Sequence, residues 1–322
     1  MPDPVTHHYF SHLVLSELND ETVSIIDKPI FDRALQGPDP WSAIGFFGGN
    51  EKKHCKRSSV MHKEKTGDFF IHLTNEVKER KDPLLFSFLV GFICHYCLDK
   101  TTHPYIICKG GEYDGTKDTF CLRNGHVRIE HLIDSYYIRH YYKKEPWRFS
   151  IPKEIFKLKQ YPKSFSLPLN KVFKKVYGWD NAFKLFNKSL YHQSLFYRLM
   201  QDRFGIFKFL LKFISLKNTD YTVFSYYKPE QYIGNTDYMN EGQVLWHHPY
   251  DSEIESNESF FELFNIAKEK AREIITAVYN YIYNDCEISL SALFENFNYS
   301  TGFDCDDPRN LKVPVYESVF KN

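Results

Sequence analysis

The chain has 322 residues, is 43% hydrophobic and 17% aromatic, and sets 41 Lys and Arg against 41 Asp and Glu. That length suffices for one large core or two modest domains. A formal net charge of zero excludes a global field that would draw the protein to nucleic acid or to an anionic membrane.

Thr6 is a good N-cap for a first helix over about His7 to Leu18. Gly37-Pro-Asp-Pro40 cannot be regular structure and reads as a rigid loop. Lys65 to Arg80 and Pro83 to Leu98 have helical patterns, with Pro83 suited to a first turn. Lys109 to Gly125 is a Gly-rich polar loop, and Val127 to Tyr142 is helical. Pro146 to Pro168 is an irregular connector, followed by helices over Leu169 to Lys175, Trp179 to Met200 and Phe204 to Phe213. Thr219 to Glu255 has no clear period. Ser259 then caps a long helix with an apolar stripe of Phe260, Leu263, Ile266, Ala267, Ile274 and Val278. With no series of alternating strands, the expectation is an all-α fold. A helical core would occupy 1–150, and a helical extension over 151–322 would pack on it as one continuous globular unit.

The N-terminus, Met1-Pro-Asp-Pro-Val-Thr-His-His8, has neither the basic region nor the apolar run of a signal peptide. The longest apolar stretch, around Leu84 to Cys94, reads as too short to span a bilayer, and no amphipathic membrane anchor is evident. Seven cysteines, two of them inside an apolar helix, read most simply as free thiols in a reducing compartment. Cys94-His-Tyr-Cys97 has CxxC spacing without a second CxxC, so buried core thiols are the simpler reading. The expected setting is the cytoplasm, without a transmembrane segment.

The chemistry is concentrated in Gly91 to Tyr105. His95, Asp99 and His103 follow one another at four-residue steps, so a helix stacks imidazole, carboxylate and imidazole on one face. His126 and Glu130 repeat the spacing. Such a donor set suits zinc, and His7, Asp39 and His62 offer further ligands. A buried, unpaired carboxylate inside an apolar helix would cost several kcal/mol, a penalty that coordination removes. His8 and His12, also four apart, read as a helix-surface pair. Asp134 reads either as a support for a ligand histidine or as a surface carboxylate, and His247 and His248 as a packing feature.

The order of these motifs resembles the bacterial zinc-dependent phospholipase C family, related in fold to the fungal zinc-dependent single-strand nucleases. The resemblance runs from about Thr6 to Asp134. It rests on Thr6-His7, Gly37-Pro-Asp-Pro40, Ser58-Ser-Val-Met-His62, His95-Tyr-Cys-Leu-Asp99, His103-Pro-Tyr105 and His126-Val-Arg-Ile-Glu130. It implies a multi-helix bundle enclosing a cluster of two or three zinc ions. One ion would take Asp39, His62, His95 and Asp99. A second would take His103, His126 and Glu130. A third would share Asp99 and take His7. In the family an N-terminal tryptophan completes that third site, whereas this chain begins Met1-Pro2.

The implied reaction is phosphodiester hydrolysis, in which a zinc-bridged hydroxide attacks phosphorus. Asp99 is the bridge and Asp39 doubles as proton acceptor. The implied substrate is a phospholipid or another phosphodiester, with no stable nucleic-acid complex. Two other readings keep the metals: a nuclease or nucleotide phosphodiesterase, and a non-catalytic, zinc-stabilised partner-binding protein.

Overall fold

The apolar residues from Pro83 onward form one 28-residue helix, Pro83–Gly110, and in the computed structural model of the protein the other helices pack around it. The structure describes residues 4–47, 49–111, 124–214, 224–228 and 236–320. Fourteen α-helices lie among them. They are α1 (Pro4–Ser16), α2 (Asp20–Ser24), α3 (Lys28–Ala34), α4 (Pro40–Phe47), α5 (Arg57–Lys63), α6 (Thr66–Arg80), the central α7 (Pro83–Gly110) and α8 (Gly125–His140). The second half adds α9 (Ile151–Glu154), α10 (Ser166–Tyr177), α11 (Ala182–Met200), α12 (Ile206–Ile214), α13 (Phe260–Tyr283) and α14 (Leu290–Leu293). Among the described residues the fold is all-α apart from one short hairpin.

Local chemistry explains the ends of the two longest helices. Asp82 caps α7 by accepting the Leu84 N–H at 2.9 Å, with Pro83 in the first turn. Ser259 and Glu262 form a reciprocal capping box on α13. The predicted end of α7 near Leu98 is overrun by three turns, because the helix continues through Pro104. Proline there removes only the bond to one carbonyl, and the burial of Tyr105, Ile106 and Cys108 offsets that loss. By length and composition α7 would cross a bilayer, but 83% of its most apolar window is buried in the protein.

α7 packs against α1, α3, α8 and α13. A single apolar cluster runs from Val5 in α1 through α7 and α13 to Phe320. Where the C-terminus of α7 meets the N-terminus of α8, a Cβ on Gly125 would fall 1.9 Å from the Gly110 carbonyl oxygen. Only glycine permits that approach, which brings His126 beside His103.

The aperiodic stretch before α13 contains an antiparallel hairpin, Trp246–His248 (β1) and Asp251–Ser256 (β2), pairing Trp246 with Ser256 and His247 with Glu255. It has no alternating apolar face for a sequence pattern to show. His247 and His248 sit in β1. There His247 Nδ1 lies 2.7 Å from Glu317 Oε1, and His248 Nε2 lies 2.9 Å from the Thr301 carbonyl. They tie down the C-terminal tail, as the packing interpretation expects.

Candidate metal centre

Asp99 lies at the middle of α7 and is fully buried. Its Oδ2 is 3.2 Å from His95 Nε2 and 3.6 Å from His62 Nε2. Asp39 Oδ1, from the turn before α4, is 3.2 Å from His62 Nε2 and 3.9 Å from His95 Nε2. Four donors bound to one zinc at about 2.0–2.1 Å would sit roughly 3.3 Å apart. The measured separations bracket that edge. The other carboxylate oxygen, Asp99 Oδ1, faces His7 Nε2 at 3.2 Å. One side chain therefore reaches two groups of donors from its two oxygens.

The third group lies farther along α7. His103 Nε2 is 3.7 Å from Glu130 Oε1, and His126 Nε2 is 2.6 Å from the same oxygen. All eight sequence-predicted residues are thus placed in three adjoining groups. The Met1 and Pro2 amine, expected to bear on the His7 group, lies outside the described residues.

The histidines are aimed by their far nitrogens. His95 Nδ1 bonds the Leu35 carbonyl at 3.0 Å, His62 Nδ1 the Ser58 carbonyl at 2.7 Å, and His103 Nδ1 the Tyr299 carbonyl at 2.8 Å. A carbonyl only accepts, so each Nδ1 carries the proton and each Nε2 turns a bare lone pair to the centre. Those Nε2 atoms, His7 Nε2, Asp39 Oδ1 and both Asp99 oxygens are buried and make no hydrogen bond. Uncompensated burial costs about 1–3 kcal/mol per group, more for a charge. Seven such atoms converging on adjoining points mark a place built for cations.

At Asp99, His7 and His103 electrostatics favour the forms that ligands need. Burial alone would raise Asp99, yet the facing His95 and His103 outweigh it and hold the carboxyl well below its ordinary range. Burial drives His7 down, helped by His95, whose ring stacks on it at 4.3 Å. Burial also pushes His103 down to about 4. His95 moves the other way: burial is outweighed by Asp99 and Asp39, which raise it. The carboxylates that raise His95 are the ones a bound cation would share, so proton and cation compete for them.

Three supports place these side chains. Gly37 has φ +47°, and a Cβ there would fall 2.3 Å from the His95 ring. The Gly37-Pro-Asp-Pro40 turn therefore cradles His95 while delivering Asp39. Asp134, fully buried, accepts the N–H groups of Val5 at 3.0 Å and Thr6 at 2.7 Å, and the Thr6 hydroxyl at 2.6 Å. Thr6 is inside the first turn rather than at the cap, and the Asp134 carboxylate takes the capping role from across the fold. Asp134 thus positions the helix that carries His7, rather than a ligand ring.

Sequence reasoning missed Tyr299. Its N–H bonds the His62 carbonyl at 2.8 Å, its carbonyl holds His103, and its ring lies 5.0 Å from that of His62. These are backbone roles in an irregular tail, and no side-chain pattern announces them.

A profile of the zinc-dependent phospholipase C family matches residues 6–195, which spans every one of these donors. The chain belongs to the zinc-dependent phospholipase C family. No curated protein and no solved structure matches it. In this phospholipase C family member the donor set fits the family's metal. Neutral imidazoles and carboxylates suit zinc, and the buried donors without hydrogen bonds are those that zinc would satisfy. A cleft of about 240 Å³ opens over the centre, with His62, His103 and His126 in its floor and Ser42, Lys63 and Ser300 on its walls.

Proposed function

We propose that the protein hydrolyses phosphodiesters at this centre, cleaving a phospholipid to a diglyceride and a phosphorylated head group. The observation that carries this reading is the convergence of buried donors without hydrogen bonds beneath an open cleft. A closed structural zinc site would have no such opening.

Asp39, His62, His95 and Asp99 would hold one ion. His103, His126 and Glu130 would hold another, and His7 with Asp99 a third. When bound, zinc would polarise the phosphoryl oxygens and lower the pKa of a coordinated water from ~15.7 toward ~7, supplying the nucleophile near neutrality. Asp99 divides its oxygens between two groups and fixes their separation. Asp39, beside the cleft-lining His62 at 3.2 Å, would take the proton of the attacking water. Lys63, exposed on the cleft wall, adds positive charge toward the phosphoryl oxygens. The six described cysteines are free, which supports the cytoplasmic setting that forms part of the same proposal.

The test is metal content by mass spectrometry, with head-group release from phospholipid vesicles and nucleotide release from an oligonucleotide, each before and after chelation. Two or three zinc ions per chain and chelator-sensitive release from lipid alone are expected. Chelator-sensitive release from the oligonucleotide alone would transfer the reading to a nuclease. Tightly held zinc without hydrolysis of either would make the metals structural.

A further inference from the structure

The short helix α12 is built inside out. Its sequence is Ile206-Phe-Lys-Phe-Leu-Leu-Lys-Phe-Ile214. Lys208 is buried, with its ammonium bonded to the Tyr227 carbonyl at 2.9 Å, and Leu211 is buried on the same side. Ile206, Phe209, Leu210 and Phe213 follow the i, i+3, i+4, i+7 spacing that normally marks a core-facing stripe. Here they are 62%, 59%, 55% and 73% exposed. Phe204, just before the helix, is 73% exposed as well.

This orientation is fixed by its own contacts. The Asp202 carboxylate accepts the N–H groups of Phe207 at 2.9 Å and Lys208 at 2.7 Å, and the Ser225 hydroxyl at 2.7 Å. Further large apolar side chains are exposed on α11, which precedes α12 in the chain, and on α4, which packs on α11. Leu199, on the last turn of α11, is 41% exposed, and Phe46 and Phe47 at the tip of α4 are 55% and 36% exposed. The Phe46 ring lies 4.7 Å from that of Phe196 in α11. α4 starts beside Asp39 and contributes Ser42 to the cleft wall, about 6 Å along the helix axis from Phe46. The charge is one-sided: from Arg203 to Ile214 there is no carboxylate, and Arg203 and Lys212 are exposed at the two ends of the stripe.

We propose that this face seats the protein on a phospholipid bilayer. The stripe of α12 and the tip of α4 enter the boundary between head groups and acyl chains, and Arg203 and Lys212 meet anionic head groups. A bilayer fits better than a protein groove because the exposed apolar side chains lie on more than one helix and the exposed charges on and next to the α12 stripe, Arg203 and Lys212, are both positive. The proposal rests on the phospholipid reading of the metal cleft, and it places that cleft beside the surface holding the substrate. No anchor was evident in the sequence, because the spacing sets Lys208 and Lys212 on one side of α12 as an apparent solvent face.

The test is flotation of the full-length protein with vesicles of phosphatidylcholine containing a minor share of phosphatidylglycerol. It compares wild type with Phe209→Ser/Phe213→Ser, two exposed positions outside the metal centre. Wild type should float, and the double variant should bind about tenfold or more weakly. Hydrolysis of vesicle lipid should fall in parallel, while hydrolysis of a monomeric short-chain phospholipid stays unchanged. Equal flotation of the two proteins overturns the proposal. So does a wild type that stays off vesicles, and a change from dimer to monomer in the variant would then assign the face to a second copy. Flotation that the substitutions abolish, in a protein inactive on every phosphodiester, leaves the docking face standing and removes the hydrolase reading alone.

Discussion

His7 and His8 are neighbours on α1, yet they belong to two clusters of different kinds. The 100° step between them turns His7 toward α7 and His8 toward α3. Each joins a group with a second histidine and an aspartate: His7 with His95 and Asp99, His8 with His12 and Asp32. In the first group both nitrogens of His7 and both oxygens of Asp99 are buried without a hydrogen bond. In the second, His8 Nδ1 bonds the Tyr142 hydroxyl at 2.6 Å and His12 Nε2 lies 2.9 Å from Asp32 Oδ1. Lys28 brings its ammonium within 3.4 Å of the same oxygen. Residue type and spacing are alike; satisfaction is not. A cluster that already contains its own cation gains little from a metal, whereas one with orphaned donors gains the whole penalty of their burial.

The largest effect expected from breaking the first cluster is at Asp99. Asp99→Asn keeps the shape but removes the charge and one of the two oxygens that the carboxylate presents to two groups. Activity should fall about a thousandfold or more, as several kcal/mol of charge stabilisation at 1.4 kcal/mol per tenfold imply. Metal content should drop by at least one ion. Unchanged stoichiometry by mass spectrometry would refute the shared position. Next in size is Gly37→Ala. The methyl group collides with the His95 ring and strains a left-handed backbone, at a cost of about 1–3 kcal/mol in thermal unfolding. Metal affinity of the Asp39, His62 and His95 group should weaken, while the His103, His126 and Glu130 group keeps its ion. Titration with a chelator of graded strength separates the two.

Much of the first cluster was legible in the sequence because helices deliver it. His95, Asp99 and His103 sit on one face of α7, and His126 and Glu130 on one face of α8, at the i, i+4 spacing that any helix enforces. His7, Asp39 and His62 come from separate elements, and the order of motifs rather than periodicity drew them in. What stayed hidden works through backbone or across the fold. The Leu35, Ser58 and Tyr299 carbonyls that aim three imidazoles have no side-chain signature. The hairpin before α13 is too short and too polar to show a period. The continuation of α7 through Pro104 is a tertiary override, since burial on every side holds residues that local propensity would end.

Asp134 connects the first cluster to the fold, and its loss should have a middle-sized effect. Asp134→Ala leaves the Val5 and Thr6 N–H groups without their cap, at about 1–2 kcal/mol of stability. It also removes the acceptor of the Tyr226 hydroxyl, 3.1 Å away. The metal bound through His7 should weaken while the other two groups hold theirs. Thermal unfolding of the metal-free and zinc-loaded forms reads both effects: the metal-free form loses the cap alone, and the loaded form loses more.

The smallest effect, and the sharpest test of the comparison, lies in the second cluster. His12→Ala removes the Asp32 contact at a partly exposed site, where Lys28 remains to balance the carboxylate. Stability should change by about 1 kcal/mol or less, and zinc stoichiometry and turnover should match wild type. Loss of a zinc equivalent in that variant would show that donor identity alone makes a site, whatever the hydrogen bonds of the donors. Lys28→Ala probes the same point from the other side. It takes away the internal cation and leaves His8, His12 and Asp32 facing one another, so the second cluster becomes chemically like the first. That variant should take up one zinc equivalent that wild type does not, and adding His12→Ala should abolish the gain. If Lys28→Ala binds no extra zinc, partner satisfaction is not what separates the two clusters, and the difference must lie in their burial.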